Sequence, residues 1–162
     1  MSKEFRIYKP TKAQNGAASK FQVSVKKIKE KYEEVMLFWE MAEQTGIDEN
    51  NNASFDWTKP EKDIHRSITM KLGSNDVGEL LCVLSGKKEF VGRKKEEGLF
   101  HQNQSGNTIL KFAKMDRGGY YAALSAKRSG VLMSIKHSLT DSEGTILEQL
   151  LKDFVSSLYK WK

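Results

Sequence analysis

The sequence predicts an α+β fold in which four strands and a helix occur twice (ββββα repeated), giving two antiparallel four-stranded β-sheets and two helices. Three observations predict it. Short stretches that alternate apolar and polar residues recur along the chain, separated by turn residues. Only two stretches have helical periodicity, and each closes one half of the chain. The two helix starts rhyme: SNDVGELL and TDSEGTIL both place glycine fifth and apolar residues seventh and eighth. The halves run over about residues 5–86 and 98–161. They are expected to form one domain over 1–162, because either half alone is too small to bury its own sheet well.

Each element follows from its own residues. Phe5 to Lys9 alternates and stops at Pro10, which cannot donate to a ladder. PTKAQNGAAS, residues 10–19, reads as a turn-rich, mobile link. Phe21, Val23 and Val25 then alternate with Lys20, Gln22, Ser24 and Lys26, so one face of this strand is core and the other basic. KKIKEKYEE is a charged hairpin tip or a short helical turn. In EVMLFWEMAEQT, Val35, Leu37, Trp39 and Met41 share one face, and Met36, Phe38, Glu40 and Ala42 the other. GIDENNNAS is a polar loop. FDWTKPEKD leads into a fourth strand with Ile64, Ile68, Met70 and Leu72 on its apolar face. SNDVGELLCVLS follows as a helix, with Ser74 as N-cap, Asp76 at the positive end of the dipole and Gly86 as terminator.

The second half has a charged loop over 87–97, then strands at about 98–102, 107–115, 119–127 and 131–139. A last helix runs from Thr140 to about Trp161. Thr140-Asp141-Ser142-Glu143 is a capping box. Ile146, Leu147, Leu150, Leu151, Phe154, Val155 and Leu158 form a wide apolar stripe.

Chemical motifs are sparse. GLFHQNQSGNTILKF, Gly98 to Phe112, has the residue types of an active-site loop, but its Ser105-Gly106-Asn107 suits a hairpin turn. GKKEFVGRK, Gly86 to Lys94, lacks the spacing, the lysine and the hydroxyl of a phosphate loop. His65, His101 and His137 are scattered, with no HxxxH pair and no cysteine cluster, so no metal site is expected. His137 reads as a satisfied core residue and His101 as a structural hydrogen-bonder. No PCxxC or GxSxG pattern occurs, and no carboxylate pair stands out. The reading is therefore of a protein that is no enzyme and needs no cofactor. Cys82, the lone cysteine, sits among leucines and reads as a buried thiol, which fits a reducing compartment. No apolar run reaches membrane-spanning length and no signal peptide is seen, so an intracellular, cytoplasmic location in a microbe or a virus-infected host cell is expected.

The charge points to a partner class. The net charge is +6. Within residues 1–27, Lys3, Arg6, Lys9, Lys12, Lys20, Lys26 and Lys27 face Glu4 alone. Strand faces that carry lysines beside outward aromatics suit a single-stranded nucleic acid, with lysines on the backbone and rings on the bases. The alternation is equally compatible with a solvated sheet face or with a basic surface for an acidic protein.

Ordered short segments resemble the Whirly-type single-stranded nucleic-acid-binding proteins, which include the plant Whirly proteins and the kinetoplastid mitochondrial RNA-binding proteins. Phe55-Asp56-Trp57 with Lys59 is similar to their Y-D-W-x-K. MKLGSNDVGELLCVL is similar to A-L-S-x-T-E-V-G-x-L-I-S-L, and LFHQ to F-F-H-D. NTILKF matches their next strand, and GGYYAALSAK resembles G-S-G-x-F-x-L-S-V-x-N. The ending TDSEGTILEQLLKDFVSSLYKW resembles T-x-A-E-F-x-V-L followed by a helix and G-W, here Lys160-Trp161. The match is good over about 55–162 and rests on strand order alone over 5–45. Tyr8 to Ser19 keeps lysines and an Ala-Ala pair, but not the family's assembly motif K-G-N/K-K-A-A.

The resemblance implies two sheets packed crosswise, helices that mediate formation of a homo-oligomer (a tetramer), and strands that bind single-stranded DNA with little sequence preference. RNA binding or annealing is the alternative. Replication, recombination and transcription regulation are all open to such a protein. The residues expected at the nucleic acid are Tyr8, Lys9, Lys12, Lys20, Gln22, Lys26, Phe38, Lys111 and Tyr121. Lys20, Lys26 and Lys111 are expected to set the salt dependence, and Tyr8, Phe38 and Tyr121 to act as stacking platforms.

Overall fold

Alternation of apolar and polar residues resolves into strands wherever one face can be buried, and the computed structural model follows that rule. It describes residues 3–30, 32–103 and 106–159, apart from the side chains of Tyr32 and Asn103. The first sheet is built from β1 (Lys3–Lys9), β2 (Ala17–Lys29) and β3 (Tyr32–Ile47), with β4 (Ala53–Phe55) and β5 (Ser67–Leu72) sharing the far edge of β3. β5 pairs along Leu37–Ala42 and β4 along Gln44–Ile47. Helix α1 (Ser74–Leu84) follows. The second sheet has the order β6 (Leu99–Asn103), β7 (Gly106–Lys114), β8 (Tyr120–Arg128), β9 (Val131–Leu139), and helix α2 (Asp141–Tyr159) comes last. All pairings are antiparallel. The ββββα order therefore stands in both halves, with β4 as an addition.

One apolar cluster joins the inner faces of both sheets and both helices. Phe21, Trp39, Met41 and Ile68 come from the first sheet, and Leu110, Phe112 and Leu124 from the second. Leu80 and Leu147 come from the helices. Aromatic rings bridge the sheets: Phe21 lies 4.4 Å from Trp39, and Trp39 lies 6.1 Å from Phe112, edge to face. A buried polar chain crosses the same boundary. The Trp39 Nε1–H donates to Ser19 Oγ at 2.9 Å. Ser19 Oγ also meets His137 Nε2, and His137 Nδ1 lies 3.0 Å from the Ser138 carbonyl oxygen. A carbonyl only accepts, so Nδ1 carries the proton and Nε2 accepts from Ser19. Burial is the main reason the His137 pKa is pushed below its ordinary value, with the Lys9 charge adding to it; the Ser138 carbonyl and Glu143 act the other way.

Several local readings change. Gly73, not Ser74, is the cap of α1, because the Asp76 carboxylate reaches back to the Gly73 N–H at 2.7 Å. Ile64 is 81% exposed, because β5 begins only at Ser67. Cys82 is half-buried on the flank of α1, while Leu80, Val83 and Leu84 take the core face. The link over 10–16 is pinned by the buried amide of Gln44, whose Oε1 accepts from the Thr11 and Gly16 N–H groups at 2.9 and 3.0 Å. The β2–β3 hairpin runs as strand nearly to its tip, so KKIKEKYEE contains no helical turn among its described residues. The polar loop GIDENNNAS shortens to a turn between β3 and β4.

Other readings stand. The Thr140–Glu143 box is reciprocal, with the Thr140 N–H donating to Glu143 Oε1 at 2.8 Å and the Glu143 N–H to Thr140 Oγ1 at 3.1 Å. The stripe of α2 divides: Leu147, Leu151 and Phe154 enter the core, while Ile146 and Leu150 stay exposed. These two line an apolar groove of about 480 Å³ with Phe5, Phe21, Val23 and Leu37. Ser105 and the Lys160-Trp161 ending lie outside the described residues.

Candidate nucleic-acid interface

Strand parity sorts the expected residues into two faces. On the first sheet, cross-strand register sets Arg6, Lys20, Glu40 and Thr69 in one outward row and Glu4, Gln22, Phe38 and Lys71 in the next. Tyr8 lies outward in the row of Ala18, Ala42 and Ser67. Lys26 shares this face further along, where β2 and β3 continue as a two-stranded ribbon beyond the span of β1 and β5.

A strap formed by Phe55-Asp56-Trp57-Thr58 folds over part of this face. Buried Asp56 fixes it by accepting from the Arg66 N–H at 2.7 Å and meeting the Lys62 ammonium. The Thr58 N–H donates to Glu40 Oε2 at 2.9 Å. The strap brings Phe55 to 5.6 Å from Tyr8 and sets the Trp57 ring 5.4 Å from the Arg6 guanidinium and 5.0 Å from Lys20 Nζ. Lys20, Gln22 and Phe38 line a recess of about 270 Å³ with Glu40, Thr58 and Thr69. Burial alone would raise the Glu40 pKa, but hydrogen bonds from Thr58 and the Lys20 ammonium outweigh it and hold Glu40 ionised below its ordinary range. Three cations of this face have carboxylate neighbours: Arg6 with Glu4 at 2.8 Å, Lys20 with Glu40 at 3.1 Å and Lys71 with Glu34 at 3.1 Å, while Lys26 forms no ion pair among the described residues.

The second sheet differs in charge. Its outward positions are Phe100 and Gln102 on β6, and Asn107, Ile109, Lys111 and Ala113 on β7. Those on β8 are Tyr121, Ala123, Ser125 and Lys127, and those on β9 are Leu132, Ser134, Lys136 and Ser138. Lys111 and Lys136 flank Ala123 in one row, about 10 Å apart at two strand spacings. Lys127 stands two residues along β8 from Ser125. No aspartate or glutamate occupies an outward position of these four strands, and none of the three lysines has an ion-pair partner among the described residues. Phe100, 57% exposed, and half-buried Tyr121 offer rings on the same face.

The structure thus gathers Lys20, Gln22 and Phe38 in one recess, with Tyr8 and Lys26 on the same face, and puts Lys111 and Tyr121 on the other sheet. Lys9 and Lys12 join neither group. Lys9 shares parity with Ile7 and points inward, where its ammonium lies 2.6 Å from Glu143. Lys12 is exposed in the turn after β1. Arg6, Trp57, Phe100, Lys127 and Lys136 were not among the expected residues. Lys127 and Lys136 become visible only once register places Lys136 in the row of Lys111 and Lys127 on the same face, four residues along β8 from that row. Among the described residues no group of three or more His, Cys, Asp or Glu side chains is placed to hold a metal ion, and no helix is long and apolar enough to cross a membrane. His101 Nε2 meets Asp76 at 2.9 Å and so braces the α1 cap.

No family model and no curated protein sequence matches the chain. Solved structures do match its fold. WHY1, a Whirly protein from Arabidopsis thaliana, superposes with a TM-score of 0.70 at 18% identity, over 98% of this chain and 85% of that one. The plant transcriptional regulator PBF-2 gives a TM-score of 0.70 at 16% identity, over 99% of this chain and 84% of that one. A guide-RNA-binding protein complex bound to a gRNA gives a TM-score of 0.61 at 9% identity, over 96% and 90%. From strand order to whole-chain superposition, the chain has the Whirly fold.

Proposed function

We propose that this protein binds single-stranded DNA, mainly without regard to sequence, by lysine–phosphate contacts and aromatic–base stacking on outward strand faces. The observation that carries the reading is the outer face of the second sheet, where Lys111, Lys127 and Lys136 stand without carboxylates beside Phe100 and Tyr121. Unpaired cations release counterions when they meet phosphates, and a ring can stack on any base. The first sheet divides the labour differently. Arg6, Lys20 and Lys71 already have carboxylate partners there, so Lys26 is left to meet phosphate, and Tyr8, Phe38 and Trp57 are the rings it offers to bases. The fold likeness supports the reading, since WHY1 and PBF-2 share the architecture.

RNA is the second ligand class, favoured by the likeness to a complex solved with gRNA. The protein acts without catalysis and as a homo-oligomer, a tetramer in this reading, with the apolar groove between β1, β2 and α2 as the contact between copies. Fluorescence anisotropy with labelled single- and double-stranded DNA of equal length, across a salt series, tests the function. Tight, salt-dependent binding to the single strand alone is expected. Equal or absent binding removes the reading and turns attention to an acidic protein partner. A matched RNA oligonucleotide in the same assay decides between the two nucleic acids.

A further inference from the structure

The recess on the outer face of the first sheet has a polarity that stacking does not need. At about 270 Å³ it is smaller than the roughly 300–1,000 Å³ of drug-sized sites and suits one flat heterocycle. Its polar groups stand in a fixed order. The Lys20 ammonium donates to Glu40 Oε1 at 3.1 Å and lies 5.0 Å from the Trp57 ring centroid. An ammonium has three N–H groups, so Lys20 keeps a donor for a ligand. Glu40 is 5% exposed and accepts from Lys20 on one oxygen and from the Thr58 N–H on the other. Each carboxylate oxygen retains a lone pair. Beside them, the Gln22 amide makes no hydrogen bond among the described residues, and the Phe38 ring is half-exposed.

A donor beside two ionised acceptors is a specific pattern. Guanine presents O6, then N1–H, then N2–H along one edge: an acceptor followed by two donors. Lys20 would donate to O6, and the Glu40 oxygens would accept from N1–H and N2–H. Thymine offers an acceptor on each side of its single N–H, so its second carbonyl would face the Glu40 carboxylate. Adenine offers one donor beside one acceptor, and cytosine one donor beside two acceptors, so each leaves part of the pattern unmet. Charge-assisted hydrogen bonds of this kind are the strong ones, and a base that turns a carbonyl toward the Glu40 carboxylate meets repulsion in their place. The pair is rigid, since the strap holds Glu40 through Thr58 and Trp57 covers Lys20.

We infer that the recess formed by Lys20, Gln22, Phe38, Glu40, Thr58 and Thr69 is a single-base subsite that prefers guanine within an otherwise sequence-tolerant strand. This rests on the single-strand reading above. The test is anisotropy with a dT 12-mer and with the same oligonucleotide carrying one central guanine, adenine, cytosine or hypoxanthine. The guanine oligonucleotide is expected to bind about tenfold more tightly than the all-thymine one, the size of one charge-assisted hydrogen bond. Hypoxanthine keeps O6 and N1–H but lacks the N2 amino group, and is expected to lose most of that gain. On the protein side, Glu40→Gln is expected to bring the guanine-to-thymine ratio close to one, with folding checked by thermal melting. The hypoxanthine comparison needs no variant and stands even where Glu40→Gln does not fold. Affinities within twofold for all five oligonucleotides, or hypoxanthine equal to guanine, would overturn the subsite and leave single-strand binding intact. Absence of binding to every oligonucleotide would overturn both.

Discussion

Removing the unpaired lysines of the second sheet should change how binding responds to salt more than it changes the fold. Lys127 and Lys136 are exposed and Lys111 is half-buried, and all three lack an ion-pair partner among the described residues. For a single strand, each neutralised phosphate contributes about 0.7 to the slope of log K against log salt. If each lysine meets one phosphate, the triple variant Lys111→Ala, Lys127→Ala, Lys136→Ala loses about 2 units of slope. Between 50 and 200 mM salt that is about a 20-fold difference in how far affinity falls. The paired cations supply the internal control. Lys71 is already beside Glu34 at 3.1 Å, and its replacement also frees that carboxylate. Lys71→Ala should therefore weaken binding while changing the slope by less than any one of the three lysines. Anisotropy titrations of a labelled dT oligonucleotide at four salt concentrations measure both. A triple variant with the wild-type slope would refute the assignment of this face to phosphates.

Three further outcomes are expected. Lys26→Ala should flatten the slope by about 0.7 if the β2–β3 ribbon touches the strand, and an unchanged slope removes Lys26 from the site. The two rhyming glycines should respond with opposite sign. A Cβ at Gly78 meets nothing within 4 Å, so Gly78→Ala should stabilise by up to about 1 kcal/mol. A Cβ at Gly144 would lie 2.9 Å from Tyr120 Cδ2 and closer still to Cε2, so Gly144→Ala should destabilise by about 1–3 kcal/mol, as read by chemical denaturation. Acid should weaken the fold through His137. Its folded pKa lies below the unfolded value, so its contribution is complete above about pH 6.5 and is lost as pH falls toward the folded value. Denaturant midpoints between pH 8 and 5 should fall for the wild type and fall less for His137→Asn, and equal falls would clear His137 of the effect.

Much of the fold was legible because its large buried apolar side chains keep to one face of each strand. Leu37, Trp39 and Met41 alternate in the sequence and are buried in the structure, and the capping box at Thr140 needed no tertiary information. Parity also held a signal that the expected site passed over: Lys9 shares the parity of Ile7, which assigns it to the inner face where Glu143 meets it. Other features depend on contacts with no period. The strap owes its path to Asp56 on Arg66 and Glu40 on Thr58, neither of which follows from spacing. Ile64 fits the apolar phase of β5 but precedes the strand, because Asp56 takes the Arg66 N–H just before pairing begins. The second-sheet lysines sit on three different strands, so only register could bring them together.

The polar chain from Trp39 through Ser19 to His137 has a consequence for how the molecule chooses one arrangement. Apolar surfaces attract without direction, and two similar sheets facing each other could slide by a strand or a residue and still cover most of their hydrocarbon. A slide would separate Ser19 and Trp39 on one sheet from His137 on the other, leaving a hydroxyl and an imidazole nitrogen unpaired away from water. Each orphaned group costs about 1–3 kcal/mol. The three side chains thus act as a key between the sheets: hydrocarbon supplies the adhesion, and the hydrogen bonds select the alignment that sets one outer face relative to the other.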